Sequence, residues 1–181
     1  MVKNKTIFIA NNLSDVFYHL KSVSDLQILG GSTYTTFFSD KTLTIRNIPE
    51  LSSYERKEHY YTFGTGITLS QILSIGRSKL PSVLYDAIQT VATPAIRNIA
   101  TIGGNICAKN KHLTLFAPLL ALDARLEFQN SENKVFIPIS KFNSVPDSML
   151  LTKIRIPVNN WDVAIYRRLG PEHVISPLSA G

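Results

Sequence analysis

The 181-residue sequence contains a single cysteine, Cys107, so it can form no internal disulfide and cannot ligate an iron–sulfur cluster by itself. Its four histidines, His19, His59, His112 and His173, are scattered without HExxH-like spacing, which argues against a zinc site. Metal chemistry, if any, belongs to a partner. No apolar stretch approaches the roughly 18 residues of a membrane span. The run from Thr6 to Ala10 is too short for the hydrophobic part of a signal peptide. These absences lead us to expect a cytoplasmic protein. Acidic residues are scarce too: 13 Asp and Glu against 19 Lys and Arg give a net charge of +6. That balance suits an anionic ligand, whether dinucleotide or nucleic acid. The cations are dispersed apart from pairs such as Arg167-Arg168, with no basic helix, zinc-finger spacing or RNP-like aromatic motif, so nucleic acid is not the expected partner.

What is present is enough for a real core: 44% of residues are hydrophobic, which fits one domain or two small lobes sharing a cleft. Thr6 to Ala10 reads as a strand. Asn12 reads as the N-cap of a helix with Leu13, Val16, Phe17 and Leu20 on one face. Strands at Leu26 to Leu29 and Thr42 to Ile45 complete a β-α-β lobe (residues 1–52). The polar run Ser52 to Glu58 reads as the least structured part of this half, and the lobe boundary is placed near it. A second lobe (53–168) begins with a strand at Tyr60 to Phe63. Helices follow from Thr68 and Pro81, then a short buried helix within Leu113 to Leu122. Strands are expected at Ala124 to Phe128, Val135 to Ile139, Met149 to Ile156 and Val163 to Tyr166. Helices and strands mix without strict alternation, so the expected class is α+β with substantial antiparallel pairing.

Two glycine stretches carry the candidate chemistry. In Leu29-Gly30-Gly31-Ser32-Thr33 a strand runs into paired glycines and then hydroxyls. Such a segment can bring backbone N–H groups close to a phosphate, or can simply turn the chain. The stretch from Ala92 to Asn105 is more elaborate. Gly103 and Gly104 can present main-chain donors to a pyrophosphate, with Thr101 and Asn105 adding side-chain hydrogen bonds. Arg97 can attract phosphate or fix the loop by pairing with a carboxylate. Neither stretch fits GxGxxG or GxxxxGK[ST], which argues against a Rossmann site and a P-loop. Cys107 just beyond reads as a small buried apolar residue rather than a redox group. No nucleophile with its base is found, and no catalytic residue is assigned.

The run Ile96-Arg97-Asn98-Ile99-Ala100-Thr101-Ile102-Gly103-Gly104-Asn105 resembles the VRNVATIGGN signature of the FAD-binding domain in molybdopterin dehydrogenases, the flavoprotein part of the xanthine and carbon monoxide dehydrogenase family. Leu29 to Thr33, Ile48-Pro49-Glu50-Leu51, Phe63 to Ser70 and Ala117 to Ala124 follow the same family order, so the resemblance covers essentially the whole chain. It implies two α+β lobes gripping an extended FAD, as in vanillyl-alcohol oxidase-type flavoproteins. It also implies an oxidoreductase subunit that passes electrons from the two-iron, two-sulfur clusters of a partner, fed by a molybdenum subunit, to NAD or another acceptor.

Carried over by position, the resemblance implies that Leu29, Gly30, Gly31, Ser32 and Thr33, with Thr101, Gly103, Gly104 and Asn105, bind the pyrophosphate and ribityl region. Phe63 stands where the family has an aromatic that packs on adenine; its other reading is a core phenylalanine. Arg167 stands near a family cation beside the flavin ring; its other reading is a surface arginine. Where many members have a Ser-Pro-x-x-Asp-like segment whose acid contacts the cofactor, this sequence has Asn110-Lys111-His112-Leu113-Thr114. Residues 169–181 stand where the family continues into a C-terminal domain, and are expected to be the start of a missing or truncated region. Val174, Ile175 and Leu178 there would leave apolar surface bare and favour self-association. Two further readings remain at this stage. One is a stand-alone reductase resembling the cell-wall enolpyruvyl reductases, for which no protonating residue or substrate domain is found. The other is a non-catalytic assembly or interaction protein that keeps the fold with weak or no FAD binding.

Overall fold

The computed structural model describes residues 5–35, 37–108, 113–159 and 161–169, and the backbone of 179–180. The expected tail contacts of Val174, Ile175 and Leu178 and most of the altered segment, Asn110 to His112, lie outside the described residues.

The chain begins with β1 (Thr6–Ile9), α1 (Leu13–Ser22), β2 (Gln27–Leu29) and β3 (Lys41–Thr44). These form a parallel three-stranded sheet in the order β1-β3-β2, with Thr6 beside Lys41 and Gln27 beside Thr42. Asn12 caps α1 as expected, its Oδ1 accepting the Asp15 N–H at 2.9 Å. Val16 is buried, and Leu13, Phe17 and Leu20 pack beside it against Leu43, Ile45, Ile48 and Leu51. The helix thus pays the ordering of its residues with a single apolar stripe laid on the sheet.

After a 3-10 turn at Pro49–Ser52 come β4 (Tyr54–Arg56), β5 (Tyr60–Gly64), α2 (Leu69–Ile75), α3 (Ser82–Gln89), α4 (Pro94–Arg97), α5 (Ile102–Ile106) and α6 (Phe116–Ala121). Then follow β6 (Arg125–Gln129), β7 (Lys134–Pro138), β8 (Leu150–Pro157), β9 (Arg167–Arg168) and β10 (Ser179–Ala180). Strands β4 to β8 build one antiparallel sheet in the order β4-β5-β8-β6-β7. Its apolar face, with Phe63, Leu126, Phe128, Ile154 and Ile156, is covered by Leu69, Ile72, Leu84, Ile88 and Leu119 from the helices. The fold is therefore α+β, with a parallel and a five-stranded antiparallel sheet, each with its own apolar cluster, and a short antiparallel β9-β10 pair. Leu150 of β8 joins the first cluster, so the two sheets share a packed boundary.

Two expectations are corrected. The polar run after Ser52 contains a strand: Tyr54, Glu55 and Arg56 pair with Phe63, Thr62 and Tyr61. It is the sheet's edge, where charged side chains face water and leave no apolar alternation to read. Conversely, Val163 to Tyr166 forms no strand. Val163 and Ile165 are exposed, and the short pairing falls instead at Arg167 and Arg168 with Ala180 and Ser179. Alternating apolar residues make a strand only where a neighbour completes the ladder.

Candidate functional site

The two glycine stretches meet. A Cβ built on Gly30 would stand 3.1 Å from Thr101 Oγ1, and one built on Gly31 would collide with the Ile99 carbonyl oxygen. Only residues without side chains let the loop after β2 lie this close to the loop before α5. Beside the contact is a cavity of about 750 Å³, bounded among others by Leu29 to Thr33, Thr101, Gly104 and Asn105. A second cavity of about 220 Å³ is bounded by Gly30, Arg46, Asn47, Thr68, Asn98 and Thr101 among others. The larger volume lies in the roughly 300–1,000 Å³ range of small-molecule sites. Gly30 and Thr101 border both cavities.

Local chemistry fixes the second loop. Thr101 is the N-cap of α5, its Oγ1 accepting the Gly104 N–H at 3.1 Å. Asn105 accepts the Leu115 N–H on its Oδ1 at 3.2 Å, tying α5 to the start of the next helix. Ser32, exposed, has a φ of 55°, the left-handed region that few residues other than glycine adopt readily. Among the described residues the wall of the larger cavity contains no Lys or Arg; its polar groups include the Ser32, Thr33 and Thr101 hydroxyls, the Asn105 amide and the Asp25 carboxylate. Arg46 supplies a cation to the smaller cavity.

Of the residues expected at the site, Leu29, Gly30, Gly31, Ser32, Thr33, Thr101, Gly104 and Asn105 line the larger cavity together. Three do not. Gly103 is buried, its N–H donates to the Thr65 carbonyl at 3.0 Å, and a Cβ there would come within 2.5 Å of Thr65 Cβ. It is a packing glycine, and its donor is already used. Phe63 is wholly enclosed in the core with its ring 5.2 Å from that of Tyr54, so it offers no face to a ligand. Arg167 is exposed on β9, outside the walls of both cavities.

Other residues of the signature have structural work. Arg97 Nη1 donates to the carbonyls of Gln89, Val91 and Ala92 at 3.3, 2.8 and 2.8 Å. These are groups that the end of α3 leaves unpaired, so Arg97 acts as a C-terminal cap. Cys107, half-buried, borders the larger cavity, and burial pushes its thiol up to about 12. A neutral thiol is a poor nucleophile and a poor redox group. The sequence reading missed Tyr34 and Phe37, which also line the larger cavity. Their signal was two aromatics soon after a glycine turn, in a segment with no helix or strand period.

Two glycine loops that touch, with Gly30 and Thr101 bordering two cavities, define a class: a two-lobed α+β domain with its candidate ligand site where the loops meet. A model of the FAD-binding domain in molybdopterin dehydrogenase matches residues 3–159. The chain belongs to this family, and FAD is the cofactor the family binds. It is 34% identical over 110 residues to the xanthine dehydrogenase FAD-binding subunit of Escherichia coli O157:H7, covering 59% of this chain and 37% of that protein. Among solved structures it resembles a cyanide-inactivated Cu,Mo-CO dehydrogenase, with a TM-score of 0.79 at 19% identity, covering 86% of this chain and 60% of the other. Quinoline 2-oxidoreductase from Pseudomonas putida 86 gives a TM-score of 0.75 at 16% identity, covering 86% and 59%. These likenesses establish the two-lobed α+β fold. The chain spans a little over a third of the xanthine dehydrogenase subunit it matches.

Proposed function

We propose that this chain binds FAD across the junction of its two lobes and serves as the flavin module of a molybdenum hydroxylase-type dehydrogenase. The observation that carries this reading is the contact of Gly30 and Gly31 with Thr101 and Ile99, with Gly30 and Thr101 bordering two cavities. A pyrophosphate at that contact would meet the first loop's backbone and the hydroxyls of Ser32 and Thr33, with the Asn105 side chain at the wall. Gly103 supports the site by letting α5 pack on Thr65. When bound, FAD supplies reversible electron carriage; the chain's residues hold and orient it and contribute no acid, base or nucleophile to a substrate.

In this reading electrons arrive from the two-iron, two-sulfur clusters of a partner, fed by a molybdenum subunit, and leave to NAD or another acceptor. The site of action is the cytoplasm. Support comes from the family membership, from the lone cysteine, and from the described residues, which contain no group of three potential metal ligands and no helix long and apolar enough to cross a membrane. In this reading residues 1–52 and 53–168 form the two lobes.

The test is reconstitution. The purified chain, incubated with FAD and desalted, is expected to keep one flavin per chain with a perturbed visible spectrum. Alone it is expected to bleach with neither purine, aldehyde nor carbon monoxide; bleaching without partners would contradict the division of labour. One observation favours the second reading, an interaction protein with weak FAD binding: the altered segment Asn110-Lys111-His112-Leu113-Thr114 lacks the acid that many family members have there. Failure to retain or bind flavin would select that reading.

A further inference from the structure

Phe63 was expected to provide the aromatic surface for a ring of the cofactor, and it is enclosed. A flat heterocycle entering the larger cavity still gains most by lying on another ring, because stacking and desolvation dominate its binding. The described wall offers two such rings, Tyr34 and Phe37. Phe37 is the more unusual. Its residue is 74% exposed, more than any other large apolar residue described, although it borders a cavity. An apolar ring left in water contributes nothing to the fold of this chain, and a bound ring would give it a partner.

The backbone beneath Phe37 is held, which separates this ring from a merely loose side chain. Gln27, on β2, donates from Nε2 to the Phe37 carbonyl at 3.2 Å and accepts the Ser39 N–H on Oε1 at 2.8 Å. One amide side chain thus satisfies an acceptor and a donor two residues apart, as a neighbouring strand would. Ser39 Oγ adds a bond to the Asp25 carbonyl at 3.4 Å. Gln27 and Phe37 both border the larger cavity.

We propose that Phe37 is the stacking platform for a ring of the bound dinucleotide and that Gln27 is the positioning residue that holds it at the cavity wall. The proposal rests on the FAD reading above and deepens it. Flavin and adenine rings present the same kind of π surface, so the choice between them is made by ligand.

The experiment titrates FAD, FMN and ADP into the full chain and into Phe37→Ala, Phe37→Leu, Phe37→Tyr and Phe38→Ala, following calorimetry and flavin fluorescence. Loss of one stacked ring is expected to weaken FAD binding about 5- to 150-fold in Phe37→Ala. Phe37→Leu should be weakened as well, and Phe37→Tyr should restore binding. Phe38, 40% exposed and outside the cavity wall, is the control and should leave affinity unchanged. A matching loss with ADP assigns the adenine ring, and a matching loss with FMN assigns the flavin. Without ligand the melting temperature of Phe37→Ala should equal that of the parent, since the side chain it removes faces water. Gln27→Ala should weaken FAD binding less than Phe37→Ala, and the double variant should bind no worse than Phe37→Ala alone. Fully additive losses would overturn the positioning role. If the parent binds FAD and Phe37→Ala binds it equally well, the platform is overturned while the FAD reading stands. A parent that binds no FAD overturns both.

Discussion

At the scale of single residues, the site depends on two adjacent glycines that do unequal work. A methyl group at Gly30 needs the Thr101 hydroxyl to give by a few tenths of an ångström, whereas one at Gly31 runs into the Ile99 main chain. Gly31→Ala is therefore expected to cost about 1–3 kcal/mol in chemical denaturation and to weaken FAD binding at least tenfold. Gly30→Ala should cost less on both counts, and equal effects would show that the loops do not touch as described. Cys107 gives a pH test. Burial raises its thiol from about 9 to about 12, so the folded state keeps a proton that the unfolded chain releases. The contribution is fully present below about pH 9 and is lost as pH rises toward about 12. Comparing the pH dependence of stability with Cys107→Ala isolates it: the parent should lose more stability than the variant across that window. The native thiol should also resist alkylation at pH 8. Residue identities made these positions legible, but not their roles. Gly103 reads like Gly104 in sequence, and only the packing on Thr65 shows which one faces the cavity.

At the scale of elements, most of the helices and strands could be read from period and punctuation. Asn12 announced a helix start as a polar cap before an apolar stripe and caps as expected; the helix expected from Thr68 begins at Leu69, with Thr68 its N-cap in a reciprocal capping box with Gln71. The failures share one cause. Strand β4 is polar and the Val163 segment is apolar, yet β4 has a neighbour to pair with and the Val163 segment has none among the described residues; pairing is a tertiary fact that local pattern does not contain. Arg97 belongs to this scale because it joins elements. Its three bonds close the end of α3 against the start of the loop that carries Thr101. Arg97→Ala is expected to destabilise the domain by about 1–3 kcal/mol, the cost of leaving carbonyls without their charged donor. It should leave the salt dependence of FAD binding unchanged. A reduced salt dependence in that variant would mean that Arg97 contacts phosphate directly.

For the whole molecule, the site belongs to neither lobe alone. The parallel sheet delivers Leu29 to Thr33, the helical half of the second lobe delivers Thr101 to Asn105, and the cavities exist because the two loops meet at Gly31 and Ile99. The two glycine stretches, Leu29 to Thr33 and the signature run Ile96 to Asn105, pointed to both loops, whereas their contact, the enclosure of Phe63 and the exposure of Phe37 depend on how the chain packs. A ligand that bridges both loops binds only the folded, docked state. FAD at about 100 times its dissociation constant should therefore stabilise the chain by about 2.7 kcal/mol, while at the same FAD concentration a tenfold weaker Gly31→Ala should keep only about half of that gain. The most direct measurement is calorimetric titration of the purified chain with FAD, repeated with Gly31→Ala. Tight binding of one FAD per chain, weakened at least tenfold by the substitution, is the predicted result. No heat and no retained flavin with the folded parent chain, or undiminished binding by Gly31→Ala, would contradict the site at the junction of the lobes.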